Sequence, residues 1–136
     1  IIGAKGRLGD EKPKIRGGLL LTKDQELMQM VAEACLDENA QRLTILEVGD
    51  LTVLADYFVL ASGRSTVHVK SIIEHVEEKL GEKGINPRHR DGTGQGTWCV
   101  LDYSSVILHV FRQEEREYYN LEDLWRGAKE IVLKQA

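Results

Sequence analysis

Residues 98–111 read WCVLDYSSVILHVF: two apolar, β-rich runs, Trp98–Tyr103 and Val106–Phe111, parted only by Ser104-Ser105. Runs of this kind around a two-residue polar break predict an antiparallel hairpin. With the turn at the serines, Tyr103 faces Val106, Leu101 faces Leu108 and Cys99 faces Val110, and strand alternation puts these six on one side. All are largely apolar, so that side is core, and the rest of the chain must supply what covers it. The other side carries Trp98, Val100, Asp102, Ile107, His109 and Phe111. It sets a carboxylate and an imidazole among apolar groups. Asp102 pairs with Ile107 in this register, which makes His109 its diagonal neighbour at roughly 7–8 Å. That second side is where function is expected.

The segments around the hairpin read as helices and further strands. Thr22 with Gln25 three residues on forms a capping box. Leu27, Met30, Val31, Ala34 and Cys35 then follow helical spacing as far as Asn39. Leu43–Val48 and Tyr57–Ala61 are predicted strands. Ser65 is the expected N-cap of a second helix with Val69, Ile72, Ile73, Val76 and Leu80 on one face, and Gly84 its left-handed end, with Ile85 folding back. The stretch from Pro87 begins as a short strand, and Gly92–Thr97 is a loop leading to Trp98. Beyond the hairpin, the acidic–aromatic segment Glu114–Tyr119 precedes Asn120. Asn120 with Asp123 predicts the start of a final helix, whose stripe is Leu121, Leu124, Trp125, Ala128, Ile131 and Val132. Strands linked through a helix imply a parallel pair, and the hairpin is antiparallel. The expected fold is therefore α/β (α+β): a single domain, residues 21–136, with a mixed five-stranded sheet flanked by helices. Residues 1–20, rich in glycine and basic groups, are expected to form a flexible N-terminal tail.

A net charge of −4 argues against DNA as a primary partner and fits a basic partner better. Cys35 and Cys99 lie in apolar patterns without ligand-like spacing, as expected of buried free thiols in a reducing, cytoplasmic setting. No run approaches the roughly 20 apolar residues of a membrane span, so no membrane partner is expected. Several residues invite chemistry but read more simply. Asp56 stands at a strand entry as a turn cap. Ser62–Ser65 turns the chain into a helix, and no Walker motif follows. His68 and His75 are solvated helix positions. No metal or other cofactor is implied. A metal-dependent enzyme would have to bring Asp56, Asp102 and His109 together. Nucleotidyl transfer would need paired carboxylates that the strands do not offer. An RNA-binding module would use the basic tail and Arg88-His89-Arg90.

Three separated motifs form a set: ADYFVLASGRS at 55–65, the spaced DG, G, W and LDY of 91–103, and VILHVF followed by EEREYYNLEDLW across 106–125. Across about residues 24 to 127 the chain resembles the Iojap family, the bacterial ribosomal silencing factors. The resemblance implies a nucleotidyltransferase-like core without the catalytic carboxylate pair, and a regulator rather than an enzyme. It implies binding to the large ribosomal subunit through ribosomal protein uL14. A factor seated there sterically blocks joining of the small subunit and represses translation under nutrient limitation. The matching positions are Trp98, Asp102, His109, Arg116, Tyr119, Leu121, Glu122 and Trp125. Trp98, Val100 and Tyr119 are the expected apolar anchor, with Asp102 and Glu122 pairing to a basic partner. Glu47, Asp91 and the Ser104-Ser105 turn depart from the family's commoner residues. An exposed face of this kind also favours a homodimer off the ribosome.

Overall fold

A computed structural model describes residues 14–16 and 19–133. In chain order the elements are β1 (Lys14–Arg16), β2 (Leu19–Leu21), α1 (Lys23–Asp37), β3 (Gln41–Glu47), β4 (Tyr57–Gly63) and α2 (Thr66–Gly81). They continue with β5 (His89–Asp91), β6 (Trp98–Asp102), β7 (Val106–Arg112), α3 (Gln113–Tyr119), α4 (Leu121–Leu124) and β8 (Lys129–Ile131). β1 and β2 pair antiparallel within the segment expected as a tail; the rest of that segment lies outside the described residues.

The main sheet has the order β5-β6-β7-β4-β3-β8. It is mixed as expected but has six strands rather than about five. β4 and β7 run parallel, because α2 carries the chain back across the sheet between them; the other neighbours are antiparallel. The hairpin register is the one read from the sequence: Cys99 opposes Val110, Leu101 opposes Leu108, and Asp102 opposes Ile107. Tyr103 donates its N–H to the Val106 carbonyl at 2.9 Å, and the chain reverses at Ser104, whose φ is +76°.

The local signals at the two long helices hold. Thr22 Oγ1 accepts from the Gln25 N–H at 3.1 Å, and Gln25 Oε1 accepts from the Thr22 N–H at 2.9 Å. Ser65 Oγ accepts from the His68 N–H at 3.1 Å. Gly84 has φ +77°, and the Ile85 N–H returns to the Leu80 carbonyl. Both helices cover one side of the sheet, where Val31, Cys35, Ile72, Ile73 and Val76 meet Ile45, Val59, Leu101 and Leu108. No helix among the described residues is long and apolar enough to cross a membrane.

The C-terminal third departs from expectation. The acidic–aromatic segment is itself a helix, α3. Asn120 then adopts the left-handed conformation (φ +47°, ψ +55°) with no side-chain cap bond, and α4 stops after one turn at Leu124. The predicted long helix fails for two physical reasons. Gly127 interrupts its stripe, where a glycine costs ~1 kcal/mol in a helix interior. The open edge of β3 offers unpaired backbone groups, and residues 129–131 take them, with Ile131 opposite Ile45.

Candidate functional site

The second side of the sheet is built from alternate residues of β3, β4, β6 and β7. Leu46, Phe58, Leu60 and Phe111 are buried there with Val48 and Ala55 of the β3–β4 connection. Trp98, Ile107, Leu121, Trp125 and Ala128 pack partly buried against them. α3 and α4 therefore cover the β7–β4–β3 part of this side. Towards β6 and β5 the cover gives out. Trp98, Val100 and Asp102 are half-buried, and all three residues of β5 are exposed. The pairings of His89 with Asp102 and Asp91 with Val100 add those two β5 side chains to the same side.

An aromatic chain spans the boundary between covered and open parts. Trp98 stacks on Phe111 with centroids 5.0 Å apart and meets Tyr119, the last residue of α3, at 4.8 Å. Tyr119 is 51% exposed and Tyr118 more so. Phe58 stands edge-on to His109 at 5.2 Å and to Trp125 at 5.1 Å. Trp125 thus packs mainly inward, as its place in the stripe suggested, although no long helix carries it.

His109 is 9% exposed. Trp98 Nε1–H donates to its Nδ1 at 3.2 Å, which leaves the ring proton on Nε2, buried without a partner. Burial holds its pKa down at about 4, so the ring is neutral. The diagonal placement of Asp102 and His109 is correct, but each has its own partner. Asp102 Oδ1 accepts from the Ser104 N–H at 2.7 Å, bracing the turn, and Oδ2 accepts from Arg88 Nη2 at 3.0 Å. Arg88 is the partner the sequence reading missed; its signal was the β5 pairing, which sets His89 beside Asp102 and Arg88 just before it. Arg90 pairs with Glu77 of α2 at 2.8 Å, so both arginines of the Arg88-His89-Arg90 stretch are engaged within the fold.

Arg116 is 2% exposed. Its Nε donates to Glu122 Oε2 at 3.0 Å, Nη1 to Ser62 Oγ at 3.0 Å, and Nη2 to Thr44 Oγ1 at 2.9 Å and again to Glu122. Burial pulls the guanidinium below its ordinary pKa, while the Glu122 hydrogen bond and charge pull the other way. On Glu122 burial acts upward, yet the Arg116 hydrogen bond and charge prevail and hold the carboxyl below the usual range. An arginine stays protonated under either pull, so the pair is ionic. Of the residues expected to touch a partner, Trp98, Val100, Asp102, Tyr119, Leu121 and Glu122 keep accessible surface. His109 and Arg116 lie beneath them. Among the described residues no three His, Cys, Asp or Glu side chains are grouped so as to hold a metal ion, and Asp56, Asp102 and His109 form no such group.

The comparisons with known proteins match this architecture. The family model described as "Ribosomal silencing factor during starvation" matches residues 22–136. The ribosomal silencing factor RsfS of Halalkalibacterium halodurans is 33% identical over 111 residues, covering 82% of this chain and 95% of that protein. RsfS of Bacillus subtilis is 33% identical over 104 residues, covering 76% and 88%. A crystal structure of a Chromobacterium violaceum protein superposes with a TM-score of 0.75 at 29% identity, covering 84% of this chain and 94% of that one. The match runs through both long helices, the hairpin and the aromatic face, and on that extent the chain belongs to the ribosomal silencing factor family.

Proposed function

We propose that the protein represses translation from the large ribosomal subunit, in the cytoplasm, by binding ribosomal protein uL14 through the open part of the second sheet face. The observation that carries this reading is the asymmetry of the sheet. One side is closed by α1 and α2, while the other ends in a half-exposed surface of Trp98, Val100, Asp102 and Tyr119. Aromatic and aliphatic groups at the centre with charges at the margin are what protein interfaces prefer. Leu121 continues the apolar strip, and Asp102, with Arg88 59% exposed beside it, supplies a charged margin able to orient a basic partner. The mechanism is steric. Surface held by this chain is surface the small subunit cannot use, and no bond is made or broken. Off the ribosome, a second copy covers the same strip.

The test is sedimentation with isolated large subunits, followed by addition of small subunits. Val100→Glu is the sharper variant, because Asp102 also braces the hairpin turn. The wild type is expected to pellet and to lower subunit joining. Val100→Glu, still folded, should lose about tenfold or more in affinity, the loss that follows from ~1.4 kcal/mol at a desolvated contact. Binding to isolated uL14 without RNA separates a protein contact from an RNA contact. A wild type left in the supernatant at micromolar concentration would overturn the reading.

A further inference from the structure

We propose that Arg116 is a positioning residue for this surface: its buried guanidinium clamps the α3–α4 corner onto β3 and β4, and it reaches a partner only through Tyr119, Leu121 and Glu122. The inference rests on the docking reading above for its effect on binding, but the clamp itself stands on geometry alone.

Besides Arg116, the corner is held by an Arg112–Glu115 ion pair at the start of α3, an exposed Arg42–Glu117 pair to β3 at 4.0 Å, and the ring contacts of Tyr119 and Trp125. Of these side chains Arg116 alone is buried. α3 has seven residues and α4 four, lengths at which a helix cannot hold itself. Arg112 at the start of α3 makes no side-chain cap bond, and neither does Asn120 between the two helices. Apolar packing of Leu121 and Trp125 attaches the corner to the sheet, but such packing is non-directional. Arg116 supplies the direction. Its hydrogen bonds end on three separate elements: Thr44 of β3, Ser62 of β4 and Glu122 of α4.

The acceptors are prepared for it. The Thr44 hydroxyl gives its own proton to the Arg42 carbonyl at 3.3 Å, which leaves its lone pairs to the guanidinium. Arg42 has φ +51° at a register shift between Gln41 and Thr44 in the β3–β4 pairing. Bulges of this kind re-aim neighbouring side chains. Ser62 is itself fully buried, so its hydroxyl needs the bond that Arg116 gives. A lysine presents three N–H groups from one atom and cannot reach acceptors on three elements as the forked guanidinium does.

The clamp bears on the open surface through Tyr119. This residue ends α3, three places after Arg116 and one before the left-handed Asn120, and its ring lies 4.8 Å from Trp98. A corner that shifts carries Tyr119 off Trp98. The Glu122 carboxylate is committed to Arg116, as Asp102 is to Arg88, so Glu122 acts on a partner through the corner that it holds in place.

The test compares wild type with Arg116→Met, Arg116→Lys and Glu122→Gln at a temperature where each remains folded. Three quantities are read: amide exchange over residues 113–125, the indole N–H resonance of Trp98, and the dissociation rate from isolated large subunits. In Arg116→Met, exchange over 113–125 is expected to quicken about tenfold or more while the α1 and α2 amides stay unchanged. The Trp98 resonance should move, and dissociation should quicken about tenfold. Arg116→Lys should restore little of this. A folded Arg116→Met with unchanged exchange and an unchanged Trp98 resonance would overturn the clamp. So would faster dissociation with an undisturbed corner, since Arg116 would then be touching the partner itself. Should Arg116→Met not fold, Thr44→Val and Ser62→Ala each remove one acceptor and must quicken exchange over 113–125 selectively. If the wild type does not bind large subunits, the docking reading alone falls, and the exchange and indole readouts still decide the clamp.

Discussion

On the α1–α2 side of the sheet, Ile45, Val59, Leu101 and Leu108 meet Val31, Ile72, Ile73 and Val76, and aliphatic contact dominates the core. On the α3–α4 side the cover is two short helices, and the core is aromatic: Phe58, Phe111, Trp98 and Trp125. Among the described residues the buried polar or charged side chains are Ser62, His109 and Arg116, and all three belong to this second side. The difference separates two kinds of work. Aliphatic burial is indifferent to direction and supplies stability in proportion to area. Buried polar groups tolerate one arrangement and penalise others, so they set the shape of a surface. One face holds the domain together, and the other holds a surface in register.

The largest expected effect tests the first face. Leu108 is fully buried at the middle of β7, and Leu108→Ala should cost about 2–5 kcal/mol in urea unfolding, with little change in affinity per folded molecule. A loss below about 1 kcal/mol would remove the claim that this face carries the stability.

The next effect belongs to the second face and is a dependence on pH. His109 has a folded-state pKa of about 4, set by burial, against an ordinary 6.5. The unfolded chain therefore binds a proton at a pH where the folded chain does not. The contribution is complete above pH 6.5 and is lost as pH falls from there towards 4. Between pH 7 and pH 5 the loss is about 2 kcal/mol. His109→Gln keeps an acceptor for the Trp98 N–H but does not titrate, so its stability curve should be flatter across this window by that amount. Parallel curves for the two proteins would show that His109 is not held neutral by burial.

The smallest effects compare the helix ends. Thr22→Ala removes one half of a capping box and should cost about 1 kcal/mol by urea unfolding. Asn120 makes no cap bond and sits at φ +47°, a conformation glycine adopts freely, so Asn120→Gly should stay within about 0.5 kcal/mol of wild type. Equal losses at the two sites would mean that the α3–α4 corner depends on its local chemistry as much as α1 does.

Much of the first face was legible in the sequence because its determinants are local. Thr22 and Gln25 are three residues apart, Ser65 caps its own helix, and a two-residue turn fixes the pairing of Leu101 with Leu108 by counting outward. Periodicity alone separated the two sides of the hairpin, since a strand offers only two sides. The second face was legible as a list of residues but not as an arrangement. Arg116 and Glu122 are six positions apart in an acidic, aromatic segment expected to meet a partner, and two of the acceptors that hold the buried arginine come from Thr44 and Ser62, far away in the chain. The final stripe has helical spacing, yet its last residues were drawn into a strand by the free edge of β3, a group of hydrogen-bonding atoms that no local pattern records. The sequence by itself determined the strands β3 to β7, the two long helices, the hairpin register and the apolar side that must be covered. The tertiary structure decided which polar groups are buried, with whom they pair and where the cover stops, because those outcomes depend on contacts between segments whose separation along the chain carries no information about their distance in space.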